Sequence, residues 1–429
     1  MTSQVTRDFI DAKVQALVAR ARRLSVLTPK RVGIRPGDKP FAPSGTHFKA
    51  ANARLKKIDA RIERRLQFLK NHSRTSSPKR VLLYIALLER EVDRARRTFG
   101  MLFEVFSQRG STFAPALAAH DAIAADCYSA IKRSAPLVFD KPLLKPLTYM
   151  EHGYSPATMR RGVSLARLLG DNNPFPLIRI PWDRDNPWQS VFLHEVSHNL
   201  QADLGLWKEN QEALTRRLIL GKQHPMVAST YRRWHKEIFA DLAALLLGGT
   251  ASAWGMMDFL AHPAPRTMTF KPGGAHPTGY LRVMILAEML RRMGFEKDAV
   301  AARRAWRELY DPAEGHRVPK QLLTSADRVI PDVVDEIAFQ TRRNLAQRAL
   351  ADVIVFTRDD EAAIRRGAVQ LARGRVPAGL PPRFMVSASR FALTMGGPAR
   401  RISDLVINHL SRQAAEIRAH PVLPRMAAA

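Results

Sequence analysis

Cysteine is nearly absent: the chain has one, Cys127, in 429 residues. A lone thiol cannot close an intramolecular disulfide, and zinc sites built from two or four cysteines are excluded with it. Acidic side chains are scarce beside basic ones, 39 Asp and Glu against 68 Lys and Arg, for a formal charge of +29. Long apolar runs are missing as well. Stretches such as Val81–Leu88 and Leu242–Gly249 fall well short of the ~20 residues that cross a bilayer. The opening residues, MTSQVTRDFIDAKVQALVARARRL, alternate charged with apolar side chains and contain no secretory apolar segment. The expectation is a cytoplasmic protein with no transmembrane segment. No GxxxxGK(S/T) loop, GxGxxG turn or GxSxG elbow occurs, so the signals of nucleotide binding and serine hydrolysis are lacking. What is present, 46% hydrophobic and 25% charged residues, is the balance of a folded protein, and the length suggests two or three domains.

The basic excess is uneven. Residues 1–80 hold 20 Lys/Arg and 5 Asp/Glu, about half of the imbalance. Within them Leu55, Ile58, Ile62, Leu66 and Leu69 recur every three or four residues, with Lys56, Lys57, Arg61, Arg64, Arg65 and Lys70 between. That periodicity predicts an amphipathic basic helix over roughly 48–72. Its charged side suits an acidic or nucleic-acid partner, or serves only as a solvated face. Further helices are expected over 1–26, 80–108 (with Leu83, Leu87 and Leu88 inward) and 114–133. Prolines become frequent from Pro136 to Pro187, and within that stretch Leu177–Ile180, bounded by Pro176 and Pro181, is the best strand candidate. Helices resume over 187–293, and the rest reads as helices broken at Pro331, Gly374–Pro382 and Gly396–Pro398. The composition suggests three parts: a basic helical region 1–135, a core 136–300 and a C-terminal helical region 301–429.

The chemistry lies in VFLHEVSHNLQADLG. On a helix His194 and His198, four apart, share one face ~6 Å apart and can hold one metal ion. Glu195 points about 100° away, where a carboxylate can take a proton from metal-activated water. Apolar Val191, Phe192, Leu193, Val196 and Leu200 surround these groups, an odd setting for surface histidines. A zinc site needs a third protein ligand. Glu237 and Asp241 in HKEIFAD are again four apart. Glu237 can bind the ion while Asp241 fixes the tautomer of a ligand histidine. His235 competes but lies nearly opposite Glu237 on the helix, and only Glu237 has a carboxylate partner on its own face. Downstream, GAHPTGYLR offers His276, Tyr280 and Arg282, side chains able to stabilise an oxyanion. The dipeptide His262-Pro263 reads as loop, and Cys127, in AIAADCYSAI, as a core thiol.

HEVSH, EIFAD and HPTGYLR, in that order, make residues 174–293 similar to the gluzincin zinc metallopeptidases, and most like a soluble form of the M48 peptidase group. The resemblance implies a mostly α fold with an α+β zincin core, in which a small edge-strand sheet packs on the HExxH helix and a Glu-bearing helix. It implies Zn2+ held by His194, His198 and Glu237, with Glu195 as general base and Asp241 behind a ligand. His276 and Arg282 are then catalytic, supporting the tetrahedral intermediate. Leu177–Ile180 becomes an edge strand that binds an extended substrate. Many M48 members have transmembrane helices, which this sequence lacks, and the flanking regions match nothing in them. The expected function is a zinc-dependent metalloendopeptidase acting on a protein or peptide substrate. A nucleic-acid-binding or regulatory protein with a structural metal site is the alternative, and cleavage of a non-peptide amide would use the same constellation.

Overall fold

Leucines and isoleucines three and four apart build the first helices. A computed structural model of the chain describes residues 4–73, 75–139, 143–153, 157–159, 173–311, 313 and 317–419. It resolves into two compact units: Met1–Ala114 with Arg161–Pro176 and Ala415–Ala429, and Pro115–Arg160 with Leu177–Ala414. In the first unit helices run over Gln4–Arg22, Gly45–Ser73 and Pro78–Ser107. The helix Gly45–Ser73 buries Leu55, Ile58, Ile62, Leu66 and Leu69, as their spacing predicts. Ile58 is fully enclosed, and burying such a side chain is worth ~1.5–3 kcal/mol. Lys56, Lys57, Arg64 and Arg65 face solvent.

Leu83, expected inward, is exposed. The buried seam of its helix is Val81, Ile85, Leu88, Val92 and Ala95. A residue two positions from both Val81 and Ile85 falls on the opposite side of the helix. Leu87 is half-buried and Leu88 wholly buried.

The second unit is mostly helical and contains one three-stranded sheet: β1 (Leu147–Glu151), β2 (Ala157–Met159) and β3 (Leu177–Pro181). The order is β1-β3-β2, with β3 parallel to β1 and antiparallel to β2. Leu177–Ile180 is therefore the central strand, not an edge. Its prolines do not forbid this: Pro176 precedes the ladder, and Pro181 pairs only with Glu151, beyond the last β2 partner, Arg179. The edge strands are β1 and β2. Asp121, on the helix Ala114–Ser134, anchors β1 by accepting bonds from the Thr148 backbone N–H (2.8 Å) and hydroxyl (2.9 Å).

The two units do not follow the expected division at 135 and 300. The helix Ala114–Ser134 and the helices beyond residue 300 share one apolar core with the HExxH helix, as Ile123, Leu193, Leu242, Val333 and Phe384 illustrate. Pro331 does not break a helix either. It lies inside Ala326–Val334, where its missing N–H costs one backbone bond and the burial of Val329, Ile330, Val333 and Val334 holds the turn together. The helices Arg358–Ala372, Pro382–Thr394 and Ala399–Ala419 are separated at the glycine- and proline-containing breaks, as expected. Among the described residues, no helix is long and apolar enough to cross a membrane.

Candidate metal centre

Three helices carry the site. The first, Val191–Asp203, holds the HExxH segment and is buried on nearly every side. Apolar Leu193, Val196 and Leu200 pack around it, and the Ser197 hydroxyl donates to the Leu193 carbonyl (2.7 Å). Gly205, at φ 66°, turns the chain into the next helix. The second, Pro225–Gly248, starts earlier than the HKEIFAD segment suggests. Pro225 opens it, at a position where a missing N–H is harmless, and the His224 ring accepts a bond from the Met226 N–H (3.2 Å). Gly249 (φ 69°) ends it, where a Cβ would collide with Phe356. The third, Gly279–Arg292, is capped by the Thr278 hydroxyl.

These helices bring His194, His198 and Glu237 together. Nε2 of His194 lies 3.3 Å from one Glu237 carboxylate oxygen, and Nε2 of His198 lies 3.4 Å from the other. One ligand atom from each of the three lies within 4.8 Å of the others, a set that could hold a metal ion. His235, the competing ligand, turns elsewhere: its Nδ1 bonds the Arg232 carbonyl (2.6 Å). Asp241 stands behind His194, its carboxylate 2.8 Å from Nδ1. That contact leaves Nε2 as the metal-facing nitrogen.

Arg282 lines the same cleft but spends its guanidinium on Asp241, with Nε 2.6 Å and Nη2 2.8 Å from the two carboxylate oxygens. It lies 4.0 Å from Glu237. Its Nη2 also lies 3.2 Å from Nδ1 and 3.3 Å from Nε2 of His194, so the guanidinium contacts both the aspartate and the histidine beside it. His276 sits on the exposed loop before the third helix, its Nε2 3.5 Å from Glu237. Tyr280 hydrogen-bonds to Arg307 and does not line the cleft.

Burial and mutual charge tune Glu195, His194, Glu237 and Asp241. Burial pushes the Glu195 carboxyl up, against the pull of His194 and with added repulsion from Glu237, to about 7. Burial disfavours the His194 imidazolium, yet the Asp241 charge outweighs it and raises the ring to about 9. Glu237 and Asp241 are held well below the usual carboxylate range despite burial, Glu237 by the two histidines and Asp241 by Arg282 and His194. The pocket thus favours added positive charge. His194, His198 and Glu237 would hold a divalent cation, which would supply positive charge to the same field.

No family model, curated protein or solved structure matches the chain.

The cleft holds about 330 Å³. Besides the predicted residues it is lined by Ala157 and Thr158 of β2, and by Val191, Lys236 and Phe259. The Lys236 ammonium lies 3.4 Å from the centre of the Trp207 ring. Of these five only Val191 was named from sequence, as part of the apolar setting of the motif. A three-residue strand has no readable alternation, and Lys236 and Phe259 become lining only through helix packing. A larger groove, about 440 Å³, runs along Glu296–Leu309; half of its lining residues are arginines, and among the described residues it holds no set of metal ligands. Cys127 is buried in the core, where burial pushes its thiol up and out of reach of reaction.

Proposed function

We propose that this chain is a zinc-dependent metalloendopeptidase, a hydrolase of gluzincin type. The observation that carries the reading is the placement of His194, His198 and Glu237 as one ligand set with Glu195 in the same cleft. Zinc bound there supplies Lewis-acid polarisation of a carbonyl and lowers the pKa of a water to ~7. The remaining roles belong to the protein. Glu195, buried and poised near neutrality, takes the proton of the attacking water and returns it to the leaving amine. Asp241 and Arg282 hold the His194 ring in place. His276, on its exposed loop, is placed to donate to the oxygen that gains charge. β2, the sheet edge beside the cleft, offers main-chain groups to an extended peptide.

The test pairs metal analysis with proteolysis profiling of the wild type and Glu195→Gln. About one zinc per chain in both proteins, with cleavage in the wild type alone, supports the reading. Wild-type protein that takes up no stoichiometric zinc refutes it.

A further inference from the structure

Large apolar side chains stand exposed on all three helices of the N-terminal unit. Val5 and Phe9, four apart on Gln4–Arg22, are 78% and 63% exposed, and Leu82 and Leu83, on Pro78–Ser107, are 46% and 59% exposed. Contacts along these helices place the four at one end. Lys13 pairs with Glu89 (2.8 Å). Arg31 bonds the Arg23 and Val26 carbonyls at the end of the first helix, and its guanidinium lies 5.1 Å over the Phe99 ring. Residues 13 and 23 are therefore level with residues 89 and 99. The two helices run in the same direction, in step at ~1.5 Å per residue, and residues 5–9 come level with 81–85. Phe68, also exposed, meets Tyr84 edge-on with ring centres 5.0 Å apart, which brings the third helix to that level.

Exposed cations share this end: Arg7, Lys70, Lys79 and Arg80. Lys79 and Arg80 have no ion-pair partner among the described residues. The acids of their helix, Glu89, Glu91, Asp93 and Glu104, lie further along, and the first three are engaged with Lys13, Arg61, Arg94, Arg96 and Arg97. Asp8 accepts a bond from the Gln4 amide (2.8 Å).

We propose that this end of the N-terminal unit docks on an anionic lipid surface. Exposed valine, leucine and phenylalanine enter the boundary between headgroups and acyl chains, and lysine and arginine meet the lipid charge. Nucleic acid uses the cations but gains nothing from Val5, Leu82 or Leu83, because phosphate contacts need charge and base stacking needs aromatic faces. A second copy joined through this end sets like charges against each other. No described helix can cross the bilayer, so the docking is peripheral.

The experiment is sedimentation of the full chain with vesicles of phosphatidylcholine alone or mixed with phosphatidylserine, at low ionic strength. Binding to the mixed vesicles only is expected, with at least a roughly tenfold loss of affinity in Leu82→Asp/Leu83→Asp and in Val5→Asp/Phe9→Asp. Two pairs on different helices guard against a fold defect in one, and circular dichroism checks each. Lys56→Glu/Lys57→Glu, about 18 Å away along its helix, should weaken binding far less. No binding to the mixed vesicles overturns the proposal. So does binding that ignores both apolar pairs, or tighter binding to duplex DNA that ignores them. Self-association without lipid that both apolar pairs abolish also overturns it, in favour of a second copy.

Discussion

One ion pair of the N-terminal unit lies at the surface: Lys13 and Glu89 meet at 2.8 Å with both side chains more than a third exposed. One network of the second unit is enclosed instead: His194, Asp241 and Arg282 meet with side chains no more than 6% exposed. The same types of contact therefore carry different energies. Water screens the first and leaves it worth ~0–1 kcal/mol. The second is enclosed, so removing one member strands another charge without solvent. Surface pairs decorate a fold that apolar periodicity has already set, whereas the buried network is itself what the helices are arranged to hold.

The largest effect that would sharpen this contrast is on turnover. Glu195→Gln should cut hydrolysis by ~10²–10⁴-fold, the usual worth of a general base, with zinc content unchanged. Retained activity in that variant would remove Glu195 from the chemistry. Next, Asp241→Asn should destabilise the fold by ~3–5 kcal/mol, because Arg282 loses its carboxylate. It should also weaken zinc binding ~10–100-fold. Denaturant unfolding and competition with a chelating dye measure the two, and a change below 1 kcal/mol would place the network in the class of surface pairs.

A third effect depends on pH. Glu195 is raised from 4.5 to about 7, so the folded protein binds its proton more tightly than the unfolded chain does. Stability is then lost as pH rises from about 4.5 through 7. At ~1.4 kcal/mol per pH unit of separation, the loss is at most ~3 kcal/mol. His194, raised to about 9, adds stability below about 6.5 that disappears as pH passes 9. In chelator, the melting temperature of Glu195→Gln should match the wild type near pH 4.5 and exceed it above pH 7. A constant difference across that range would refute the assignment. The smallest expected effect belongs to the surface: Glu89→Gln should change unfolding free energy by less than ~1 kcal/mol. A larger loss would erase the contrast between the units.

The parts of the molecule that sequence made legible are those governed by local repetition. The i,i+4 spacings put His194 with His198 and Glu237 with Asp241, and the apolar ladder Leu55–Leu69 gave the basic helix its buried side. Elsewhere local rules misled. Prolines around Leu177–Ile180 suggested an edge, but that strand is paired on both sides, and the edge beside the cleft is β2, a strand too short to carry a pattern. Leu83 looked like core on composition, and its position relative to Val81 and Ile85 put it outside. Pro331 looked like a break, and burial of its neighbours carried the helix through.

Sequence by itself determined the helical content, the residues available as metal ligands and general base, and the concentration of positive charge in residues 1–80. The tertiary structure decided which distant groups meet. It set Glu237 between the two histidines while His235 bonds the Arg232 carbonyl, and it drew Arg282 onto Asp241. It also brought exposed apolar residues of three helices to one end of the first unit. Helical periodicity fixes neighbours within a turn or two. Contacts between side chains 41 and 88 positions apart, as Arg282 makes with Asp241 and His194, depend on how whole helices pack.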